Sequence, residues 1–176
     1  MSKKVNAEQV SIWYLSELLL WDDYHLLPAK PDQDIENYCQ FLGAYEVLTW
    51  FKGVVPVIHG PVGCIASFNA TRGLRHKNSL SGLPYFSTHM NEEDVVFGGE
   101  KKLLAAVKKA VELGKPQLIV VLTNCCAEII GEKTEVIVKK IKGEVPCPIL
   151  TLNTGGCMGD GFRQGADKAF KLLINF

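Results

Sequence analysis

Cysteine is the residue type in this 176-residue chain that is best suited to chemistry, and six cysteines are present. Structural disulfides are disfavoured in a reducing compartment, so this number favours metal binding or redox chemistry. The alternative is that some of the six are small buried apolar residues, as free cysteine often is. Four of them follow an apolar run by only a few residues: Cys64, Cys125, Cys126 and Cys157.

The sequence HGPVGC, residues 59–64, places one of these thiols in a glycine-rich turn after the apolar run VVPVI. Gly60 and Gly63 allow the backbone to approach another group closely, and Pro61 suits the first position of a helix. The free N–H groups of that helix would stabilise a thiolate or an anionic iron–sulfur cluster. Two alternatives remain open: a structural turn around a buried cysteine, and a cysteine nucleophile with His59 as its base.

Zinc is the competing metal, because thiolates also bind it in structural sites. Such sites usually contain paired C-x(2–4)-C knuckles, and the sequence has none. Cys125 and Cys126 are adjacent, and adjacent side chains rarely bind one ion together. The remaining cysteines are far apart in the chain, which favours a cluster held between separate loops of a folded domain.

Three short β-branched runs bounded by turn signals predict buried parallel strands, with helical patterns between and after them. This alternation predicts an α/β fold, a three-layer parallel β-sheet with flanking helices of the Rossmann-like type. The carboxyl ends of the strands then share one edge, where the thiols would converge, whereas Cys147 precedes its strand and is predicted to be structural. The strands are predicted at residues 54–58, 117–122 and 148–152, and the helices at residues 99–113, 134–141 and 165–174.

The predicted domain organisation is a single compact unit with an extension. Residues 1–52 are predicted to form an N-terminal helical extension, with helical patterns over residues 8–21 and 35–51. Residues 53–176 are predicted to form the α/β domain that binds the iron–sulfur cluster.

The composition argues against several classes of partner. Lys plus Arg number 19 and Asp plus Glu number 19, so no basic excess favours nucleic acid. No apolar run approaches the roughly 20 residues that a membrane helix needs. The N-terminus has no apolar segment of the kind found in a secretory signal. We therefore expect a soluble cytoplasmic protein without nucleic-acid or membrane partners.

Three motifs together resemble one family, in the order in which that family carries them. HGPVGC, NEEDVVFGGEKKL (residues 91–103) and TNCCAEIIGEK (residues 123–133) resemble nitrogenase component 1 and the nitrogenase-like oxidoreductases. The resemblance runs from about Asn37 to the C-terminus. It implies an iron–sulfur cluster at a subunit interface, either a [4Fe–4S] cluster or a larger P-cluster-like cluster shared between subunits.

The resemblance also implies the cluster ligands. Cys39 and Cys64 match the first two cysteines of the family, and Cys125 matches the third because five residues separate it from Gly131. Cys157, in the loop NTGGCMGDG, is a candidate fourth ligand, and Gly156 fits a backbone that passes close to a large cofactor. The acids that follow the third cysteine, Glu128 and Glu132, are expected to be solvated acids at a helix start rather than ligands.

By this resemblance the chain is the electron-relaying part of an oxidoreductase. An ATP-dependent [4Fe–4S] reductase would deliver electrons to it, and the sequence contains no G-x-x-x-x-G-K-[ST] loop of its own. A homodimer or a heteromeric partner subunit would complete the cluster site. The family's substrate-site domains have no counterpart here, so the chain is either part of a larger assembly or a small stand-alone member. The alternatives are a non-catalytic scaffold for metallocofactor assembly and a zinc-bound or metal-free structural domain.

Overall fold

The computed structural model describes residues 38–66, 85–159 and 161–176. The helix predicted over residues 8–21 lies outside these ranges, as do residues 1–37 of the predicted extension. The helices are α1 (Gln40–Thr49), α2 (Glu92–Phe97), α3 (Glu100–Gly114), α4 (Cys125–Ile129), α5 (Thr134–Ile141) and α6 (Phe162–Ile174). The strands are β1 (Val54–His59), β2 (Phe86–Ser87), β3 (Leu118–Thr123) and β4 (Ile149–Asn153), and a 3₁₀ turn spans Gly156–Met158.

The described strands form one parallel sheet in the order β2-β1-β3-β4. The three strands predicted from apolar runs are confirmed to within one residue at either end. Strand β2 was not predicted, because two residues are too few to show a sheet period. The confirmed alternation of strands and helices gives the predicted α/β fold with helices on both faces.

Sheet periodicity sorts the apolar side chains of β3 into two layers. Leu118, Val120 and Leu122 pack with α1 and α6, whereas Ile119 and Val121 pack with α3 and α5. Strands β1 and β3 are buried along their whole length, as expected for a parallel sheet covered on both faces. Among the described residues, no helix combines the length and the apolar character needed to cross a bilayer.

Helices α1 and α6 pack closely because glycines face the neighbouring backbone. A Cβ atom at Gly165 would lie 1.7 Å from the carbonyl oxygen of Gln40, and one at Gly43 would lie 1.9 Å from that of Phe162. This contact also holds the start of α1 against the start of α6, where Cys39 forms an isolated bridge with Gly161. The close helix contact therefore positions Cys39.

We predict that Gly165→Ala destabilises the fold by about 3 kcal/mol, because the new methyl group must displace backbone rather than a side chain. Urea unfolding followed by circular dichroism measures this change. Gly143→Ala is the matched control, since its Cβ would meet nothing within 4 Å and its φ is not left-handed. The control should change stability by less than about 1 kcal/mol; equal effects of the two substitutions would contradict the prediction.

Candidate functional site

The carboxyl edge of the sheet carries the thiols. Residues 63–66 are helical after β1 and include Cys64, and α4 begins at Cys125 directly after β3 and Asn124. Cys157 lies in the 3₁₀ turn that follows β4. Because the strands are parallel, these three turns lie at the same edge, as the sequence predicted. Cys147 precedes β4 and is buried in the layer of α3 and α5, also as predicted.

Cys39 reaches the same edge from a different direction. It is the N-cap residue of α1, and its side chain makes no capping hydrogen bond. A Cβ atom at Gly156 would lie 2.5 Å from the Cys39 Cβ and 3.6 Å from its Sγ. Glycine at position 156 is therefore required for the loop after β4 to pass this close to Cys39.

The four thiols of Cys39, Cys64, Cys125 and Cys157 interact with one another. A hydrogen bond with Cys125 raises the pKa of the Cys157 thiol, with smaller contributions from burial and from Cys39. Burial raises the pKa of the Cys64 thiol, and Cys39 and Cys125 raise it further. The backbone N–H of Gly156 donates to the Cys125 Sγ at 3.2 Å. Cys39 and Cys125 both contribute to the pKa of Cys64 and of Cys157, so we call these four residues the thiol cluster.

The two glycines of HGPVGC have different surroundings. A Cβ atom at Gly60 would lie 2.1 Å from the side chain of Asn124, and Gly60 adopts a φ of 155°. A Cβ atom at Gly63 would meet no described residue within 4 Å, and Gly63 is exposed beside Cys64. Gly60 therefore lets two loops of the chain pack together, whereas Gly63 leaves open space next to a thiol.

Asn124 was not singled out from the sequence, although it joins the turns that carry Cys64 and Cys125. Its Oδ1 accepts a hydrogen bond from the Cys126 N–H at 3.1 Å and so caps α4. Its Nδ2 donates to the Pro61 carbonyl at 3.4 Å. The only local signal was an asparagine directly before a helix start, which indicates a cap but not the second contact.

The hypothesis of a cysteine nucleophile with His59 as base is not supported. The imidazole is fully buried, with Nε2 2.5 Å from Glu132 Oε2 and Nδ1 3.3 Å from Thr88 Oγ1. Both ring nitrogens are therefore engaged by groups other than a thiol. A base must be within hydrogen-bond reach of the proton it takes.

The expectation that Glu128 and Glu132 are solvated acids is wrong. Glu128 Oε1 accepts hydrogen bonds from Thr123 Oγ1 at 2.6 Å and from the Gly155 N–H at 2.7 Å. The Glu132 side chain is 7% exposed and binds His59. Both carboxylates connect loops that are distant in sequence, so their contacts depend on the assembled sheet.

Large apolar side chains are exposed at the ends of α2 and of α4, the helix that begins with Cys125. Val96 and Phe97 at the end of α2 are 72% and 87% exposed, and Ile129 at the end of α4 is 71% exposed. We call these three residues the apolar patch. Apolar side chains of this size that are this exposed are available to a binding partner.

The family model for nitrogenase component 1 type oxidoreductases matches residues 39–176. The chain is 35% identical over 142 residues to the nitrogenase iron-molybdenum cofactor biosynthesis protein NifE of Methanosarcina barkeri, covering 79% of this chain and 30% of that protein. It is 37% identical over 141 residues to the nitrogenase molybdenum-iron protein beta chain of Rippkaea orientalis, covering 77% of this chain and 27% of that protein. The chain thus spans about a third of the length of the curated relatives it matches.

A solved structure of nitrogenase Cp1 at pH 6.5 has the same fold. It superposes with a TM-score of 0.70 at 24% identity, over 80% of this chain and 31% of that one. At this identity the likeness supports the α/β fold and nothing finer.

We predict that the exposed thiols of the metal-free folded protein react with iodoacetamide before the buried one does. Cys64 and Cys157 are exposed, whereas Cys147 is 8% exposed. Mass spectrometry of timed samples should find Cys147 modified only after unfolding in urea. Modification of Cys147 as fast as Cys64 in the folded protein would contradict this assignment of burial.

Proposed function

The chain belongs to the nitrogenase component 1 type oxidoreductases, and from this premise we propose that its thiol cluster binds an iron–sulfur cluster that relays electrons. The single observation that supports this proposal most is the placement of three cysteines in separate turns at one sheet edge, with Cys39 at the N-cap of α1 beside the loop after β4. Cys39, Cys64 and Cys125 are the proposed ligands, and Cys157 is the proposed fourth.

The donor set fits such a group. Thiolates are the usual ligands of iron–sulfur clusters, and the four candidates interact with each other without forming disulfides. Within residues 38–66, 85–159 and 161–176, no three His, Cys, Asp or Glu side chains meet as ligands of a single metal ion. An iron–sulfur cluster contains several irons, so Cys39, Cys64, Cys125 and Cys157 would hold it without converging on a single point. These four thiols therefore suit an iron–sulfur cluster better than a zinc ion, because a structural zinc ion needs four ligands around a single point.

The chain's own residues prepare this site in three ways. The open space beside Gly63 leaves room next to the Cys64 thiol. The Gly156 N–H donates to the Cys125 Sγ, and such hydrogen bonds to sulfur tune the potential of a bound cluster. Cys39 lies at the N-cap of α1, and its side chain is not used for a capping hydrogen bond. When bound, an iron–sulfur cluster supplies one-electron redox chemistry.

The first experiment is anaerobic purification with iron and sulfide analysis and electron paramagnetic resonance of the dithionite-reduced protein. We predict that Cys64→Ala lowers bound iron at least tenfold, because it removes a ligand, whereas Cys147→Ala retains wild-type iron. Cys147 is the matched control because it is buried on the other side of the sheet. A folded Cys64→Ala protein with the iron content of wild type would contradict the proposed ligand set.

We further propose that the apolar patch docks an ATP-dependent [4Fe–4S] reductase of the kind that serves this family. The patch lies on α2 and α4, and α4 begins with the proposed ligand Cys125. A reductase bound there would approach the thiol cluster closely. The exposed apolar side chains supply the contact area, and the acids Glu92 and Glu93 at the start of α2 add charge beside it.

We predict that Phe97→Ser slows reduction by a purified nitrogenase-type reductase with ATP at least tenfold, while cluster content and reduction by dithionite stay unchanged. Phe97 is 87% exposed, so its loss removes contact area without disturbing the core. Leu113→Ser is the matched control, since Leu113 is 59% exposed at the far end of α3. Equal rates for wild type and Phe97→Ser would place the reductase contact elsewhere.

A second candidate function is assembly of a metallocofactor without turnover. The similarity to NifE, which is named as a cofactor biosynthesis protein, favours it. Both functions need the same thiols, so ligand substitutions do not separate them. Transfer of iron and sulfide to a metal-free acceptor protein would favour the scaffold, whereas a cluster retained through repeated reduction and oxidation would favour the relay.

We propose that a second chain completes the site, either another copy of this one or a component 1 partner subunit. The similarity to a subunit of the molybdenum-iron protein supports a heteromeric assembly. The exposed positions of Cys64 and Cys157 would let a shared cluster contact both chains. Oxygen-sensitive chemistry of this kind suits the cytoplasm, which is the proposed location.

A further inference from the structure

One buried carboxylate, that of Glu132, connects the three motifs of the chain. Its Oε2 lies 2.5 Å from the Nε2 of His59, the first residue of HGPVGC. Its Oε1 accepts a hydrogen bond from the backbone N–H of Gly99 at 2.6 Å, within NEEDVVFGGEKKL. Glu132 itself belongs to TNCCAEIIGEK, seven positions after Cys125. The carboxylate of Glu132 therefore binds two segments that are far from it and from each other in sequence.

The link continues from His59 to the backbone of the turn that carries Cys64. Burial lowers the pKa of the His59 imidazole, and the neighbouring Glu132 carboxylate offsets this only in part. The ring donates from Nε2 to the Glu132 carboxylate, and its Nδ1 lies 3.3 Å from the Thr88 Oγ1. The Thr88 oxygen in turn accepts a hydrogen bond from the Gly60 N–H at 3.0 Å.

The start of α3 packs closely against this link. A Cβ atom at Gly99 would lie 2.8 Å from His59 Cε1 and 3.2 Å from Glu132 Oε2. The backbone of α3 therefore approaches the His59 ring only because residue 99 is glycine. His59 is fully buried and Thr88 is 5% exposed, so water does not compete strongly for these hydrogen bonds.

We propose that Glu132 is a positioning residue, which fixes the turn at residues 60–64 relative to α4 and so sets the placement of Cys64 beside Cys125. Each Glu132 oxygen already accepts a hydrogen bond from an N–H group of another segment, which suits a carboxylate that holds those segments in place. The identity of the group that Cys64 then binds rests on the proposed function above. The fixing of the turn is a property of the chain without any bound group.

The test compares Glu132→Ala with Glu135→Ala in the full chain by hydrogen exchange of the metal-free protein. Glu135 is an exposed acid in the first turn of α5, so its loss removes the same charge without this link. We expect the Gly60 and Gly99 amides to exchange at least about tenfold faster in Glu132→Ala, with β3 amides unchanged. Glu135→Ala should match wild type.

Glu132→Gln provides the rescue. The amide oxygen can accept from the Gly99 N–H, and the amide nitrogen can donate to His59 once the ring proton moves to Nδ1. In Glu132→Gln we expect the Gly60 and Gly99 amides to exchange at rates within about threefold of those in wild type.

Bound iron is a second measurement. After anaerobic reconstitution it should fall at least twofold in Glu132→Ala and recover in Glu132→Gln. Exchange in Glu132→Ala equal to that in Glu135→Ala would overturn the proposal.

If Glu132→Ala does not fold, Thr88→Val tests the other end of the same link. Valine keeps the shape of threonine but removes the oxygen that accepts the Gly60 N–H and contacts His59. Faster Gly60 exchange with unchanged β3 amides would support the proposal, and unchanged Gly60 exchange would overturn it. A wild-type chain that binds no iron would count against the proposed function alone, since the exchange results stand without a cluster.

Discussion

The register between β1 and β3 is the constraint on which the rest of the structure depends. The two strands pair in parallel over their full length, from Val54 opposite Leu118 to His59 opposite Thr123. Both strands therefore end at the same level, and the residues after them emerge side by side. A shift by one residue would turn every side chain of a strand to the other layer, so the fit of these side chains against the helices on each face favours this register. The turns that carry Cys64 and Cys125 lie close together because of this register.

Polar contacts at the carboxyl edge convert that proximity into a defined site. Glu128 joins the end of β3 to the turn after β4, because it binds both Thr123 and the Gly155 N–H. Asn124 joins the turn after β3 to the turn after β1. Glu132 joins the end of β1 to the start of α3. These contacts are buried or half-buried, and a side chain that leaves a buried partner unpaired is costly, so each loop has one preferred position.

Cys39 depends on a second constraint, the close contact of α1 with α6. The glycines at positions 43 and 165 let the helices approach until backbone meets backbone. That contact holds the N-cap of α1 beside the loop after β4, where Gly156 passes the Cys39 side chain. The thiol cluster therefore combines three turns fixed by the sheet with one residue fixed by a helix pair.

The sequence by itself determined the sheet, its covering helices and the edge at which the thiols gather. Short apolar runs and helical patterns are local signals, and parallel strands bring the turns after all of these runs to a single edge. Only the tertiary structure decided the roles of His59, Glu128 and Glu132, which the sequence suggested as a base and as solvated acids. Glu132 lies 73 residues from His59, and Glu128 lies 27 residues from Gly155, so no local pattern specifies these hydrogen bonds. Burial made the difference, because a carboxylate or imidazole removed from water must find donors and acceptors within the fold.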